Sequence, residues 1–266
     1  MDLTGSLQPV RRGDAGPRLV FVHGSAADHT TWSVQLAILA RTAQVIAYDR
    51  RGTGASAALG PDGGRGLRVE DHAGDLAHLI ESLSGPRPIA CGSSFGAVIV
   101  LELARTRPEL IAGLVLCEPP MAASDDLPAV PAAFGCAFDR VAALRGGPAA
   151  GAMFLRSVLG DQAFAAMPTR WRERACGLWQ QIRADSVALA RYRPRYRELR
   201  ELRVPALLVG GARSAGFYAP TLEALQSVLP DSELHILAGA GHMMHAEQAR
   251  SFNALAMTFA ARVSVF

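Results

Sequence analysis

The sequence predicts an α/β fold, a mostly parallel sheet flanked by helices with a helical insertion late in the chain. Three observations carry the prediction. Short apolar runs of strand length alternate with helical patterns at residues 19–22, 45–48, 88–91, 113–117, 206–210 and 233–237. Such runs, apolar on both faces, belong in parallel sheets covered by helices. Gly92-Ser93-Ser94-Phe95-Gly96 fits G-x-S-x-G where one such run gives way to a helical pattern, the signature of a sharp strand-to-helix turn that exposes a serine. Finally, the alternation stops between 121 and 203, where only helical stretches can be read.

The chain has 266 residues and is half hydrophobic, enough for one large core with an inserted subdomain. The boundaries follow the pattern: 1–120 and 204–266 form the core, and 121–203 form a helical lid. The net charge of +3 is mild, and all 27 basic residues are arginine. This reads as coding bias rather than as a partner, and the lack of long single-sign blocks argues against nucleic acid. Cys91, Cys117, Cys136 and Cys176 lack metal-ligand spacing, so reduced and mostly structural thiols are expected. Met1-Asp2-Leu3-Thr4-Gly5 has no basic-then-apolar signal and no run reaches about 18 apolar residues. A cytoplasmic protein without a membrane partner is expected, and the sequence leaves monomer and homodimer both open.

In order, Leu7-Gln8-Pro9-Val10 offers one edge strand, weakened by Pro9. The 19–22 strand ends in His23-Gly24-Ser25-Ala26, and Trp32 opens a helix with Leu36 and Leu39. The 45–48 strand leads into Asp49-Arg50-Arg51-Gly52-Thr53-Gly54-Ala55-Ser56, and a glycine-rich surface loop covers 57–68. A helix is predicted over 69–84, then the serine turn and its helix, then the 113–117 strand and Glu118-Pro119-Pro120. The insertion reads as helices around 132–144, 148–158, 170–184 and 186–192. The 206–210 strand, a helix at 218–229, the 233–237 strand, Gly239-Ala240-Gly241-His242 and a helix over 247–262 complete the chain.

Ligands of open parallel sheets bind beyond the strands' carboxyl ends, where Ser94, Glu118, His242, Asp49 and the 23–25 loop all fall. Nucleophilic catalysis needs a nucleophile, a base, an acid orienting the base, and donors for the oxyanion. Ser94 is the nucleophile. His242 is the base, since Gly239 and Gly241 free its loop to reach back; His245 competes for the role. His23 is read as structural, and His29, His72, His78 and His235 as surface or helix-face histidines. The N–H of Phe95 supplies one oxyanion donor and that of Ser25 the other, with Gly24 the alternative.

His23-Gly24…Trp32, Asp49-Arg50-Arg51-Gly52…Ser56, Gly92-x-Ser94-x-Gly96 and Gly239-x-Gly241-His242, in this order, resemble the α/β-hydrolase fold family over nearly the whole chain outside the insertion. The resemblance implies a serine hydrolase with a mobile helical lid. In that family the acid usually follows the strand after the lid, yet here Val209-Gly210-Gly211-Ala212-Arg213 leads to Ser214. A neutral hydroxyl cannot stabilise an imidazolium as a carboxylate does. Some members, haloalkane dehalogenases among them, carry the acid after the strand that follows the elbow helix, where this chain has Glu118. The arrangement is similar to zearalenone-type lactone hydrolases, which implies a Ser94–His242–Glu118 triad. The alternative for Glu118 is a loop carboxylate that caps the following turn.

The expectation is therefore cleavage of a carboxylic ester or lactone of a hydrophobic small molecule, macrolactone or polyketide-like, through an acyl-enzyme. Trp179, Met153 and Phe134 of the insertion and Met243 beside the base are the substrate-side candidates. A C–C bond hydrolase, a cyclase or an acyltransferase could use the same frame, and Ser214 favours a degenerate binding protein. No metal cluster, phosphate loop or dinucleotide fingerprint is read, and no cofactor is expected.

Overall fold

The computed structural model describes residues 7–56 and 66–263; most of the loop expected at 57–68 lies outside the described residues. Seven strands form one sheet in the order β1-β3-β2-β4-β5-β6-β7. They are β1 Val10–Arg12, β2 Arg18–Val22, β3 Gln44–Tyr48, β4 Ile89–Ser93, β5 Gly113–Cys117, β6 Ala206–Gly211 and β7 Ser232–Leu237. Only β1 runs antiparallel, paired to β3; the remaining pairs are parallel. The edge strand begins at Val10 rather than Leu7, since Pro9 has no N–H to give a ladder.

The two-residue period of the strands divides the core into two layers. Val20 and Val22, Leu114 and Leu116, and Ala206 and Leu208 point to one face. Leu19 and Phe21, Val115 and Cys117, and Leu207 and Val209 point to the other. The first face packs on α2 (Val69–Glu81), α3 (Phe95–Thr106) and α10 (Tyr218–Val228), the second on α1 (Ser33–Leu39) and α12 (Ala249–Val263). Helix α3 is buried from Phe95 through Ala104, so its sequence is apolar nearly all round.

Between β5 and β6 lie α4 (Ala132–Arg145), α5 (Gly147–Leu159), α6 (Asp161–Ala166), α7 (Thr169–Gly177), α8 (Trp179–Arg191) and α9 (Tyr196–Leu199). The helix expected over 170–184 is instead broken at Leu178, directly after Gly177, a residue that weakens helices. The break lets the Trp179 ring lie on Gly147, where a Cβ would fall 2.1 Å from the indole. The helix expected over 247–262 begins at Ala249, as α12, and a short α11 (Met244–Glu247) precedes it. Among the described residues, no helix is long and apolar enough to cross a membrane.

Candidate active site

Strand β4 delivers Ser94 to the sheet's carboxyl edge at φ 54° and ψ −123°, a conformation costing a non-glycine residue about 1–3 kcal/mol. Two close backbone approaches make the turn possible. A Cβ on Gly92 would lie 2.3 Å from the Gly96 carbonyl oxygen, and one on Gly96 would lie 2.3 Å from that of Val22. The Ser94 N–H donates to the Cys117 carbonyl at 2.8 Å, which ties the turn to the end of β5.

Glu118 follows β5 with φ 45° and is 1% exposed. Its Oε1 accepts the Gly211 N–H at 2.8 Å. Its Oε2 is 2.6 Å from His242 Nδ1. A carboxylate facing Nδ1 fixes the proton there and leaves the lone pair on Nε2. The His242 loop turns back through Gly239 at φ 72° and is held by the Gly241 N–H on Glu247 at 2.9 Å. The Ser214 hydroxyl is buried with no hydrogen-bond partner, so the imidazole pairs with Glu118.

Phe95 is the first residue of α3, so its N–H lacks an intrahelical acceptor. Gly24 brings the loop after β2 against Ser94; a Cβ there would meet the Ser93 carbonyl at 2.9 Å and the Ser94 Cβ at 3.0 Å. The Ser25 hydroxyl donates to Asp185 at 2.7 Å. Asp185, on α8, also takes the Arg50 guanidinium at 2.8 and 3.2 Å. Arg50 further donates to the Gly24 carbonyl at 3.2 Å and lies 4.6 Å over the Phe95 ring. His23 braces this loop: one ring nitrogen contacts the Gly24 carbonyl at 2.9 Å, and the other accepts the Arg50 N–H at 3.1 Å. Burial first, and the Arg50 charge second, push His23 down to about 3, so it stays neutral.

Three further histidines have defined surroundings. His245, the competing base, is 1% exposed and 4.4 Å from the Trp32 ring, and burial lowers its pKa to about 3; its Nε2 contacts Thr31 Oγ1 at 3.3 Å. His72 is buried with its ring at 90° to that of Phe95. His29 pairs with Asp49 at 2.8 Å. The fold thereby gathers Asp28, His29 and Asp49, with ligand atoms within 4.8 Å of one another, a grouping not read in the sequence because it forms across two loops. Each carboxylate already has internal partners: Asp28 takes Arg174 and the Thr30 N–H, and Asp49 takes the N–H groups of His29 and Ala55.

Phe134, Met153 and Trp179 pack with Phe138, Ala150 and Ile182 among the inserted helices, and the cluster touches Ala26 next to Ser25. Met243 precedes α11, next to His242, and is half-buried. Tyr218 was not singled out by sequence reasoning. Its ring stacks on His242, with centroids 4.4 Å apart and planes 11° apart, and its hydroxyl is 3.2 Å from Nε2. Nothing local marks it, since the contact joins the start of α10 to the loop after β7.

The layout is that of the nucleophile-elbow proteins: a mostly parallel sheet with a strained serine at the start of a helix and a carboxylate-paired histidine at the same edge. Residues 19–255 match the alpha/beta hydrolase family, and the chain belongs to it. It is 31% identical to RutD of Variovorax paradoxus (strain S110), a carbamate hydrolase by name, over 94% of this chain and 93% of that one. The fold is similar to a thermophilic esterase from Thermogutta terrifontis (TM-score 0.81, 24% identity, 97% of this chain and 93% of that one). It is also similar to the enol-lactonase from Burkholderia xenovorans LB400 (TM-score 0.79, 22% identity, 95% of each chain).

Proposed function

We propose that the protein is a serine hydrolase that cleaves a carboxylic ester or lactone of a hydrophobic substrate through an acyl-enzyme. The observation that supports this most is the 2.6 Å contact of buried Glu118 with His242 Nδ1, on the same sheet edge as the strained Ser94. In this reading Ser94 Oγ attacks the carbonyl carbon and His242 Nε2 takes its proton. The negative oxygen is received by the N–H groups of Phe95 and Ser25, and Glu118 stabilises the imidazolium. The imidazolium returns the proton to the leaving oxygen as the C–O bond breaks. Water, deprotonated by His242, then releases the acid and regenerates Ser94.

Residues 121–203 act as a lid over this edge, and Phe134, Met153 and Trp179 of its helices, with Met243 next to His242, offer apolar surface to the acyl chain. A macrolactone or polyketide-like ester suits that surface. Carbamates are the second substrate class, favoured by the near full-length similarity to RutD; their carbonyl accepts the same attack.

Intact-mass detection of fluorophosphonate labelling tests the reading. One adduct is expected on the wild type, none on Ser94→Ala, and slow labelling on Glu118→Gln. Labelling that survives Ser94→Ala would refute the nucleophile. Labelling indifferent to Glu118→Gln would remove that carboxylate from the triad.

A further inference from the structure

Tyr218 opens α10, and its side chain is 2% exposed. Phe217 packs on its ring with centroids 4.2 Å apart. Its own ring backs the His242 imidazole in a near-parallel stack. The phenol oxygen therefore reaches Nε2, at 3.2 Å, over the face of the imidazole. In the proposed mechanism the lone pair of Nε2 takes the Ser94 proton.

The phenol hydroxyl thus lies beside the nitrogen that carries the proton taken from Ser94. The departing atom of an acyl substrate must come to this place. It is bonded to the carbon that Ser94 attacks, and it must lie within reach of the Nε2 proton. Burial first, and the Glu118 charge second, hold the phenol well above its usual pKa. Tyr218 therefore keeps its proton at neutral pH and is a donor.

We propose that Tyr218 is a further catalytic residue: its hydroxyl donates a hydrogen bond to the leaving atom as the tetrahedral intermediate collapses, while its ring supports the imidazolium of His242. The inference rests on the serine-hydrolase reading. In this step the carbon–oxygen bond breaks and its electron pair goes to the leaving oxygen. His242 Nε2 supplies the proton of the product alcohol, and Tyr218 retains its own. The ring's contribution is the attraction of a π face for a cation. The role suits substrates whose leaving groups are strongly basic, namely alkyl esters, lactones and carbamates, because these need the most help to depart.

The test is kcat/KM for one acyl group carried on p-nitrophenol, phenol, trifluoroethanol and ethanol, in the wild type, Tyr218→Phe and Tyr218→Leu. Tyr218→Phe keeps the stack and removes the donor. Its loss is expected to grow along the series, from under about tenfold with p-nitrophenol to about 10²-fold with ethanol. Tyr218→Leu removes the stack as well and is expected to lose more at every member. A ratio of wild type to Tyr218→Phe that is flat along the series overturns the donor role. Equal rates for Tyr218→Phe and Tyr218→Leu overturn the role of the ring. A folded wild type that neither turns over any member nor takes a fluorophosphonate overturns the serine-hydrolase reading itself.

Discussion

Arg50 and Asp185 form a fully buried ion pair between the loop after β3 and the inserted helix α8, with guanidinium nitrogens 2.8 and 3.2 Å from the carboxylate. The same pair touches both residues assigned to the oxyanion: Asp185 accepts the Ser25 hydroxyl, and Arg50 lies over the Phe95 ring. Asp185 thereby ties α8 to the loop that carries Ser25.

Asp185→Asn keeps an acceptor for Ser25 but leaves a buried guanidinium without its counter-charge. Unfolding in urea is expected to show a loss of about 3–5 kcal/mol. Ester turnover should fall by up to about 10²-fold through kcat, as for a displaced oxyanion donor. Stability and kcat both at the wild-type level would show that the pair is dispensable.

Glu118→Gln is expected to preserve the fold while lowering kcat by about 10⁴, because an amide at 2.6 Å from Nδ1 cannot stabilise the imidazolium. Steady-state kinetics on an activated ester measure this directly. A loss under about tenfold would return Glu118 to the role of a turn-capping carboxylate.

Gly24→Ala would push a Cβ to 2.9 Å from the Ser93 carbonyl and 3.0 Å from Ser94 Cβ. The loop must retreat from the nucleophile, at a stability cost of about 1–3 kcal/mol. Turnover is expected to drop while fluorophosphonate still labels Ser94 slowly. Wild-type turnover in Gly24→Ala would contradict the close approach.

His245, with a folded pKa of about 3 set first by burial and then by the His242 charge, makes stability depend on pH. The unfolded imidazole titrates near 6.5, so between pH 3 and 6.5 the unfolded state binds the additional proton. Stability is therefore expected to fall as pH drops through this window, with His245 contributing at most about 1.4 kcal/mol per pH unit. Urea titrations at pH 5 and 7 should show a smaller difference for His245→Phe than for the wild type. Equal differences would place a protonatable, solvated imidazole at 245.

The strands were legible because β2, β4, β5 and β6 are apolar on both faces, a pattern that few other elements produce. The serine turn was legible because only small residues allow its backbone contacts, at Gly92 and Gly96. Glu118 could be nominated because a serine stands at 214 where an acid was expected. The helix break at Leu178 was not legible, because the helical pattern runs on through it while the Trp179 ring packs on Gly147 of another helix.

The sequence by itself determined the sheet, the elbow and the residue types at its carboxyl edge, because strand and turn preferences act over a few neighbouring residues. Only the tertiary structure decided which partners meet. Glu118 and His242 are 124 residues apart, Arg50 and Asp185 are 135 apart, and Tyr218 reaches His242 from another element. Such contacts depend on side-chain direction and packing between elements, which local patterns do not encode; the burial of His72 and His245 has the same origin.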